Sequence, residues 1–271
     1  MTRVAGFARA CHPAPTVVVT LVITAFAFSL GWRSPALWGL ARAVLLGGLS
    51  VGWSNDAFDA ELDARVGRTS KPTVTGVVTA RALWVGALIA LVAASALSWA
   101  VAGPLGGSFH VFSILMAWLY NTVLSRTPWS WLPYALAFGA VPAFLTFGLT
   151  GTAPSAWMVV VFAIVGVSAH LANAVPDIDA DRAAGVDGLA VRLGARRSLV
   201  ACWTLLGIGT AILAAVTMPE QVLLAVVVMC VFVIAVLVAS VWRRSGAAFA
   251  AVMSVVVVDV GVLVLAAGRV G

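Results

Sequence analysis

The stretch "ALWGLARAVLLGGLSVGWSNDAFDAELDARVGRTSKPTVTG", residues 36–76, begins as an apolar run and ends in a dense cluster of charge. From Ala36 to Ser54 its single charged residue is Arg42, after which Asp56, Asp59, Glu61 and Asp63 follow in quick succession. About 20 predominantly apolar residues are enough for a helix to cross the hydrocarbon core of a bilayer. The pattern therefore predicts a membrane helix that presents carboxylates where it emerges. A second stretch, "HLANAVPDIDADRAAGVDGLAVRLG" at residues 170–194, repeats the arrangement with Asp177, Asp179, Asp181 and Asp187. Eight of the ten acidic residues of the chain lie in these two places.

The rest of the chain agrees with a membrane setting. Of 271 residues, 62% are hydrophobic and 10% charged, so apolar runs recur along the whole length. A bilayer offers the backbone no water, which restricts spanning structures to helices or closed barrels, and runs without strict alternation select helices. Spans are expected at about 16–31, 36–53, 81–102, 109–125, 131–149, 156–175, 199–217, 222–241 and 247–267, punctuated by Pro35, Pro104, Pro128, Pro154 and Pro219. The expected fold is an all-α membrane protein of nine transmembrane helices, one bundle and one domain over 1–271, around a central cavity.

With the N-terminus in the cytoplasm, thirteen basic residues fall on the inside and two, Arg33 and Arg269, on the outside. This positive-inside bias places both acidic clusters at the cytoplasmic face of the plasma membrane and the C-terminus outside. The net charge of +6 is spread over short loops, which excludes a nucleic-acid surface, and no protein partner is identifiable. Cys11, Cys202 and Cys230 lack metal or redox spacing and read as small buried hydrophobes. Arg3 and Arg9 precede the first apolar run as they would in a secretory signal, but Ser29, Gly31 and Trp32 make a poor cleavage region, so a retained first helix is expected.

Helical phasing sorts the acids. At roughly 100° per residue, Asn55, Asp59, Asp63 and Asp56 share one face within about 100°, whereas Glu61 falls on the far side. His170, Asn173, Asp177 and Asp181 fall within about 80° of one another, with Asp179 opposite. Two carboxylate stripes at a membrane face suit Mg²⁺, which keeps several waters and binds through one or two carboxylates plus substrate phosphates. A diphosphate between the stripes is the implied ligand. Arg65, Arg68, Lys71, Arg182, Arg192, Arg196 and Arg197 adjoin the clusters and either grip its oxygens or simply satisfy the topological bias. The spacing matches no calcium-binding loop.

These residues resemble the UbiA superfamily of intramembrane prenyltransferases, nine-helix proteins with two aspartate-rich motifs. "NDAFDAELD", residues 55–63, fits the pattern NDxxDxxxD, and "DIDAD", residues 177–181, fits DxxxD; "GRTSKPTVTG" is similar to the stretch that follows the first motif. The resemblance implies that Asn55, Asp56, Asp59, Asp63, Asp177 and Asp181 bind two Mg²⁺ ions and an isoprenyl diphosphate, with Arg68 and Lys71 on the diphosphate. "LYNTVLSRT" is similar to a further family segment and offers Tyr120, Asn121 and Arg126. There Ser125 stands where a lysine is expected, so either Arg126 substitutes or that contact is absent. An arginine common about two turns before the first motif is replaced by Leu46, Gly47 and Gly48, which implies a wider or differently shaped pocket floor.

The implied reaction is Mg²⁺-dependent transfer of an isoprenyl group to a small, aromatic acceptor inside the membrane, through ionisation of the allylic diphosphate. A membrane terpene cyclase acting on the same diphosphate is the alternative, and a cation transporter is a second one from another class. His170 serves there as a proton acceptor or carboxylate orienter, or else as a hydrogen-bonded structural histidine. Trp53, one turn from Asp56, is a pocket candidate, while Trp129, Trp131 and Trp157 fit interfacial belts. Arg42 and Asp259, at matching depths of roughly 18 to 20 Å, are expected to pair.

Overall fold

A computed structural model describes residues 2–217 and Val255. The expected helices at 222–241 and 247–267, with Cys230, Arg243, Arg244 and Asp259, lie outside the described residues. Within those residues the chain is all helical, and six helices are long and apolar enough to cross a membrane. They are Pro13–Leu30, Ala36–Phe58, Ala80–Leu124, Trp131–Thr150, Ala156–Ala183 and Leu189–Val216. The protein is an integral membrane protein.

The chain opens with a short helix, α1 (Arg3–Ala10), that the hydropathy pattern did not single out. Thr2 caps it by accepting the Ala5 amide. After the Cys11–His12 turn, α2 (Pro13–Leu30) starts on Pro13, whose missing N–H falls where a helix needs none. Helix α3 (Ala36–Phe58) carries the apolar run five residues past its expected end, into the first acidic cluster. A bend at Asp59 separates it from α4 (Ala60–Arg65).

Helix α5 (Ala80–Leu119) folds back on itself at Gly103, where φ is 67° and ψ 178°. The left-handed backbone suits glycine, and Pro104 then starts the returning arm without an amide to leave unpaired. The Trp84 and Trp118 rings sit 5.6 Å apart, whereas a straight helix would separate these residues by roughly 51 Å. Ser98 and His110 hydrogen bond at 2.7 Å near the turn. The arms therefore form an antiparallel hairpin, as the two expected spans at 81–102 and 109–125 require.

The returning arm ends in a π-helical turn at Tyr120–Leu124, closed by the Ser125 amide on the Tyr120 carbonyl. The single span expected at 131–149 is two helices, α6 (Trp131–Gly139) and α7 (Val141–Thr150), broken at Ala140 ahead of Pro142. Helix α8 (Ala156–Ala174) runs through a 3₁₀ turn at Val175–Asp177 into α9 (Ile178–Ala183). Helix α10 (Leu189–Thr217) begins ten residues earlier than expected and is kinked at Gly194, φ 76°.

A core of Phe26, Leu40, Phe144, Leu145, Phe162 and Leu213 joins α2, α3, α7, α8 and α10. In lipid the apolar side chains gain little from burial alone, so close approach and polar contacts hold helices together. A Cβ at Gly106 would come within 2.8 Å of the Gly148 amide, and one at Gly166 within 2.5 Å of the Tyr134 carbonyl. Ser50 donates to the Ala87 carbonyl at 2.8 Å, Ser113 to Ala137 at 2.8 Å, and Trp32 Nε1 to Leu145 at 3.1 Å. These contacts fasten the helices that carry both acidic clusters.

Candidate active site

The first motif straddles the end of α3. The Asp59 amide bonds the Asn55 carbonyl at 3.0 Å and the Asp63 amide bonds Asp59 at 2.8 Å, so helical phase survives the bend. Asn55, Asp56, Asp59 and Asp63 stay on neighbouring turns. Asp56 and Asp63 are 1% and 0% exposed, while Glu61 is 88% exposed and pairs with Arg65.

Both short helices end alike. After α4, Gly67 takes φ 70°, its amide bonds Ala64, and the Arg68 amide turns back to the Asp63 carbonyl at 2.9 Å. After α9, Gly185 takes φ 75°, its amide bonds Arg182, and Val186 turns back to Asp181 at 2.9 Å. This Schellman closure needs glycine at the left-handed position, and in each case it sits four residues after the motif's last aspartate. Its consequence at α4 is functional, because it folds Arg68 over Asp63.

Arg68 then joins the motifs. Nη1 donates to Asp63 Oδ1 at 3.1 Å and Nη2 to Asp181 Oδ1 at 3.3 Å. Burial opposes its charge, but Asp63, Asp177 and Asp181 together hold its pKa above the ordinary arginine value. Lys71 Nζ lies 2.5 Å from Asp56 Oδ1, and Arg126 Nη2 is 3.0 Å from Asp59 Oδ1, with its guanidinium 5.4 Å over the Phe58 ring. Burial pushes the Asp59 carboxyl above its usual range, against the pull of Arg126.

Other expected residues divide. Asn121 is buried and accepts from Asn55 Nδ2 at 3.4 Å while donating to Ser54 Oγ and the Val51 carbonyl, so it orients Asn55. The Tyr120 ring packs edge-on against Tyr134 at 4.9 Å and His170 at 5.5 Å, within electrostatic reach of Asp59, Asp177 and Asp181. Arg126, next to Ser125, reaches Asp59 of the first motif.

A 3₁₀ turn at Val175–Asp177 interrupts the helix that carries the second stripe. His170 is 3% exposed and meets Ser130 Oγ at 3.0 Å, while Asn173 and Asp177 are exposed. Asp179 is 97% exposed and pairs with Arg182, and Arg192 pairs with Asp187.

The structure also places Trp53, Gly47, Gly48 and Arg42. Trp53 donates to the Phe7 carbonyl at 2.8 Å and stacks edge-on with Phe7, which ties it to α1. Ile114 and His110 pack against Gly47 and Thr16 against Gly48, so the space beside these glycines is filled. Arg42 is exposed along α3, and its expected partner Asp259 lies outside the described residues.

The motif reading missed His12, whose Nε2 lies 3.0 Å from Asp56 Oδ1. It also missed Ser130, which joins His170 to the Leu189 amide. Neither residue belongs to a motif, so no local signal marked them.

A metal fits the donor set without being preformed in it. Asp63 Oδ2 is buried without a hydrogen-bond partner, a vacancy that a hard cation would satisfy. Among the described residues no three acidic, histidine or cysteine side chains converge at metal-binding distance. Arg68, Lys71, Arg126 and His12 each contact at least one of these carboxylates.

Fold and site define a membrane-embedded helical bundle with two facing aspartate motifs at one end. The chain belongs to the UbiA prenyltransferase family, whose model matches residues 16–258. It is 30% identical over 207 residues to a digeranylgeranylglyceryl phosphate synthase of Methanoregula boonei, covering 72% of this chain and 71% of that protein. It is 30% identical over 152 residues to a protoheme IX farnesyltransferase of Chloroflexus aurantiacus, covering 55% of this chain. That match spans a quarter (25%) of the relative's length. A UbiA homologue from Archaeoglobus fulgidus, solved with DMAPP and Mg²⁺, shares the fold at a TM-score of 0.72 and 15% identity, over 95% of this chain and 99% of that one.

Proposed function

We propose that this chain, acting as one domain over 1–271, transfers an isoprenyl group from an isoprenyl diphosphate to a small aromatic acceptor within the membrane, in a Mg²⁺-dependent reaction. The observation that carries the reading is the Arg68 bridge between Asp63 and Asp181, because it brings both aspartate motifs to one cationic centre. Asn55, Asp56, Asp59, Asp63, Asp177 and Asp181 would hold the metal. When bound, Mg²⁺ supplies charge neutralisation at the leaving diphosphate.

The chain's own cations do the rest. Arg68, Lys71 and Arg126 rest on carboxylates here, and a diphosphate offers them oxygens of higher charge at the same place. Asn121 orients Asn55, and the Tyr120, Tyr134 and His170 rings form an aromatic wall beside the acids, suited to a developing allylic cation. Apolar helices around it exclude water that would quench that cation. His170, Asn173 and Tyr120 complete the proposed substrate contacts. The positive-inside bias puts this end in the cytoplasm and the C-terminus outside.

Purified protein incubated with isoprenyl diphosphates of several lengths and Mg²⁺ tests the reading, with aromatic acceptors, protoheme and a prenylated glycerophosphate offered separately. The family's curated relatives carry the last two chemistries in their names. A prenylated aromatic product is expected. Prenylation of another acceptor corrects the acceptor class, a cyclic product without acceptor replaces transfer by cyclisation, and absence of diphosphate release overturns the enzyme reading in favour of transport.

A further inference from the structure

His12 stands outside both motifs, yet its imidazole bonds Asp56, a buried carboxylate of the first. Among the described residues it is the one non-glycine residue with positive φ, at 51°. Histidine is among the few side chains that visit this region, and a residue held there is over-determined by its surroundings. Those surroundings are visible. Thr16 Oγ1 donates to the Cys11 carbonyl at 2.7 Å, and a Cβ on Gly52 would lie 2.6 Å from that same carbonyl oxygen. Gly52 precedes Asp56 by one helical turn on the same face of α3. The glycine thus lets the Cys11–His12 turn press onto α3, and the left-handed backbone aims the imidazole at Asp56.

Helix α1 holds the turn from the other side. Phe7 takes the Trp53 indole N–H at 2.8 Å, Gly6 lies against Val77 and Val78, and Arg9 donates to the Ser70 carbonyl at 3.3 Å. The loop carrying Lys71 is therefore clamped between α1 and α3. His12 and Lys71 both reach Asp56 Oδ1, and neither of these contacts uses Oδ2.

We propose that His12 is a positioning residue for the metal site: it holds Asp56 by Oδ1, so that the carboxylate keeps its direction when Lys71 leaves it for the diphosphate. His12 Nε2 also lies 3.4 Å from Lys71 Nζ; an arriving divalent cation repels that ammonium group, and once it leaves, an imidazole N–H is free to donate to the oxygen. Loss of such an outer partner commonly weakens metal affinity about 10- to 100-fold. The inference rests on the proposed function.

The test compares full-length wild type, His12→Ala and His12→Gln in nanodiscs. Mn²⁺ binding is followed by electron paramagnetic resonance with geranyl diphosphate present, alongside the Mg²⁺ dependence of diphosphate release and thermal unfolding. His12→Ala should weaken Mn²⁺ binding about tenfold or more and raise the half-saturating Mg²⁺ concentration similarly, with a smaller change in kcat at saturation. His12→Gln, whose amide can donate to the same oxygen, should recover most of the affinity. Unchanged Mn²⁺ affinity in His12→Ala would overturn the inference, as would a loss that tracks falling thermal stability and is not rescued by Gln. Wild type that binds neither Mn²⁺ nor geranyl diphosphate instead overturns the proposed function, so the two failures are distinct.

Discussion

Arg68 and Asp181 lie 113 positions apart in the chain and meet at 3.3 Å, with the same guanidinium also 3.1 Å from Asp63. A planar guanidinium presents N–H groups in fixed directions to two carboxylates at once, a geometry that lysine, a compact charge on a flexible stem, does not reproduce. Arg68→Lys should therefore lower turnover about 100-fold, and Arg68→Ala at least as much. Steady-state kinetics on folded protein checks this, and near-wild-type turnover in Arg68→Lys would show that the bridge has no catalytic role.

Burial separates the acids into groups of unequal consequence. Asp56→Asn and Asp63→Asn should abolish Mg²⁺-dependent diphosphate release. Glu61→Gln and Asp179→Asn, at 88% and 97% exposed acids, should change it less than about twofold, since exposed ion pairs contribute little. Equal losses at all four positions would remove the assignment of roles.

Close helix approach predicts a stability effect away from the site. Gly166→Ala and Gly106→Ala would place a methyl against the Tyr134 carbonyl and the Gly148 amide, backbone atoms that cannot swing aside. Each should destabilise the protein by about 1–3 kcal/mol, read as a lowered unfolding midpoint in detergent. An unchanged midpoint would mean that the helices separate there at no cost.

Cys11 supplies a pH-dependent probe. Its thiol is pushed above the ordinary cysteine value, first by burial and also by the nearby Asp56 carboxylate. The thiolate is the reactive form, so a raised pKa moves alkylation to higher pH. Iodoacetamide should label Cys11 in the native protein more slowly than a free thiol at neutral pH, with the rate rising only above the ordinary thiol range. Mass-spectrometric labelling at several pH values measures it, and free-thiol rates at neutral pH would contradict the burial.

Much of the bundle was legible in hydropathy because a lipid environment demands long apolar helices, and Pro104 marked the break between the two arms of α5. The breaks inside spans were less legible. Ala140 and the 3₁₀ turn at Pro176 interrupt runs whose composition is uniformly apolar or helical, and the His170–Ser130 hydrogen bond joins residues 40 positions apart. The missing side chains at Gly47 and Gly48 looked like open space, and Ile114, His110 and Thr16 fill it.

By itself the sequence determined the membrane setting, the helical class and the two aspartate motifs, since these follow from local periodicity and spacing within a few turns. Only the tertiary structure decided that Arg68 joins the motifs, that Asn121 orients Asn55, and that His12, 44 positions before Asp56, holds its carboxylate. Such contacts depend on how separate helices dock, and docking is set by the summed fit of small residues and hydrogen bonds across the bundle, which no single stretch of sequence contains.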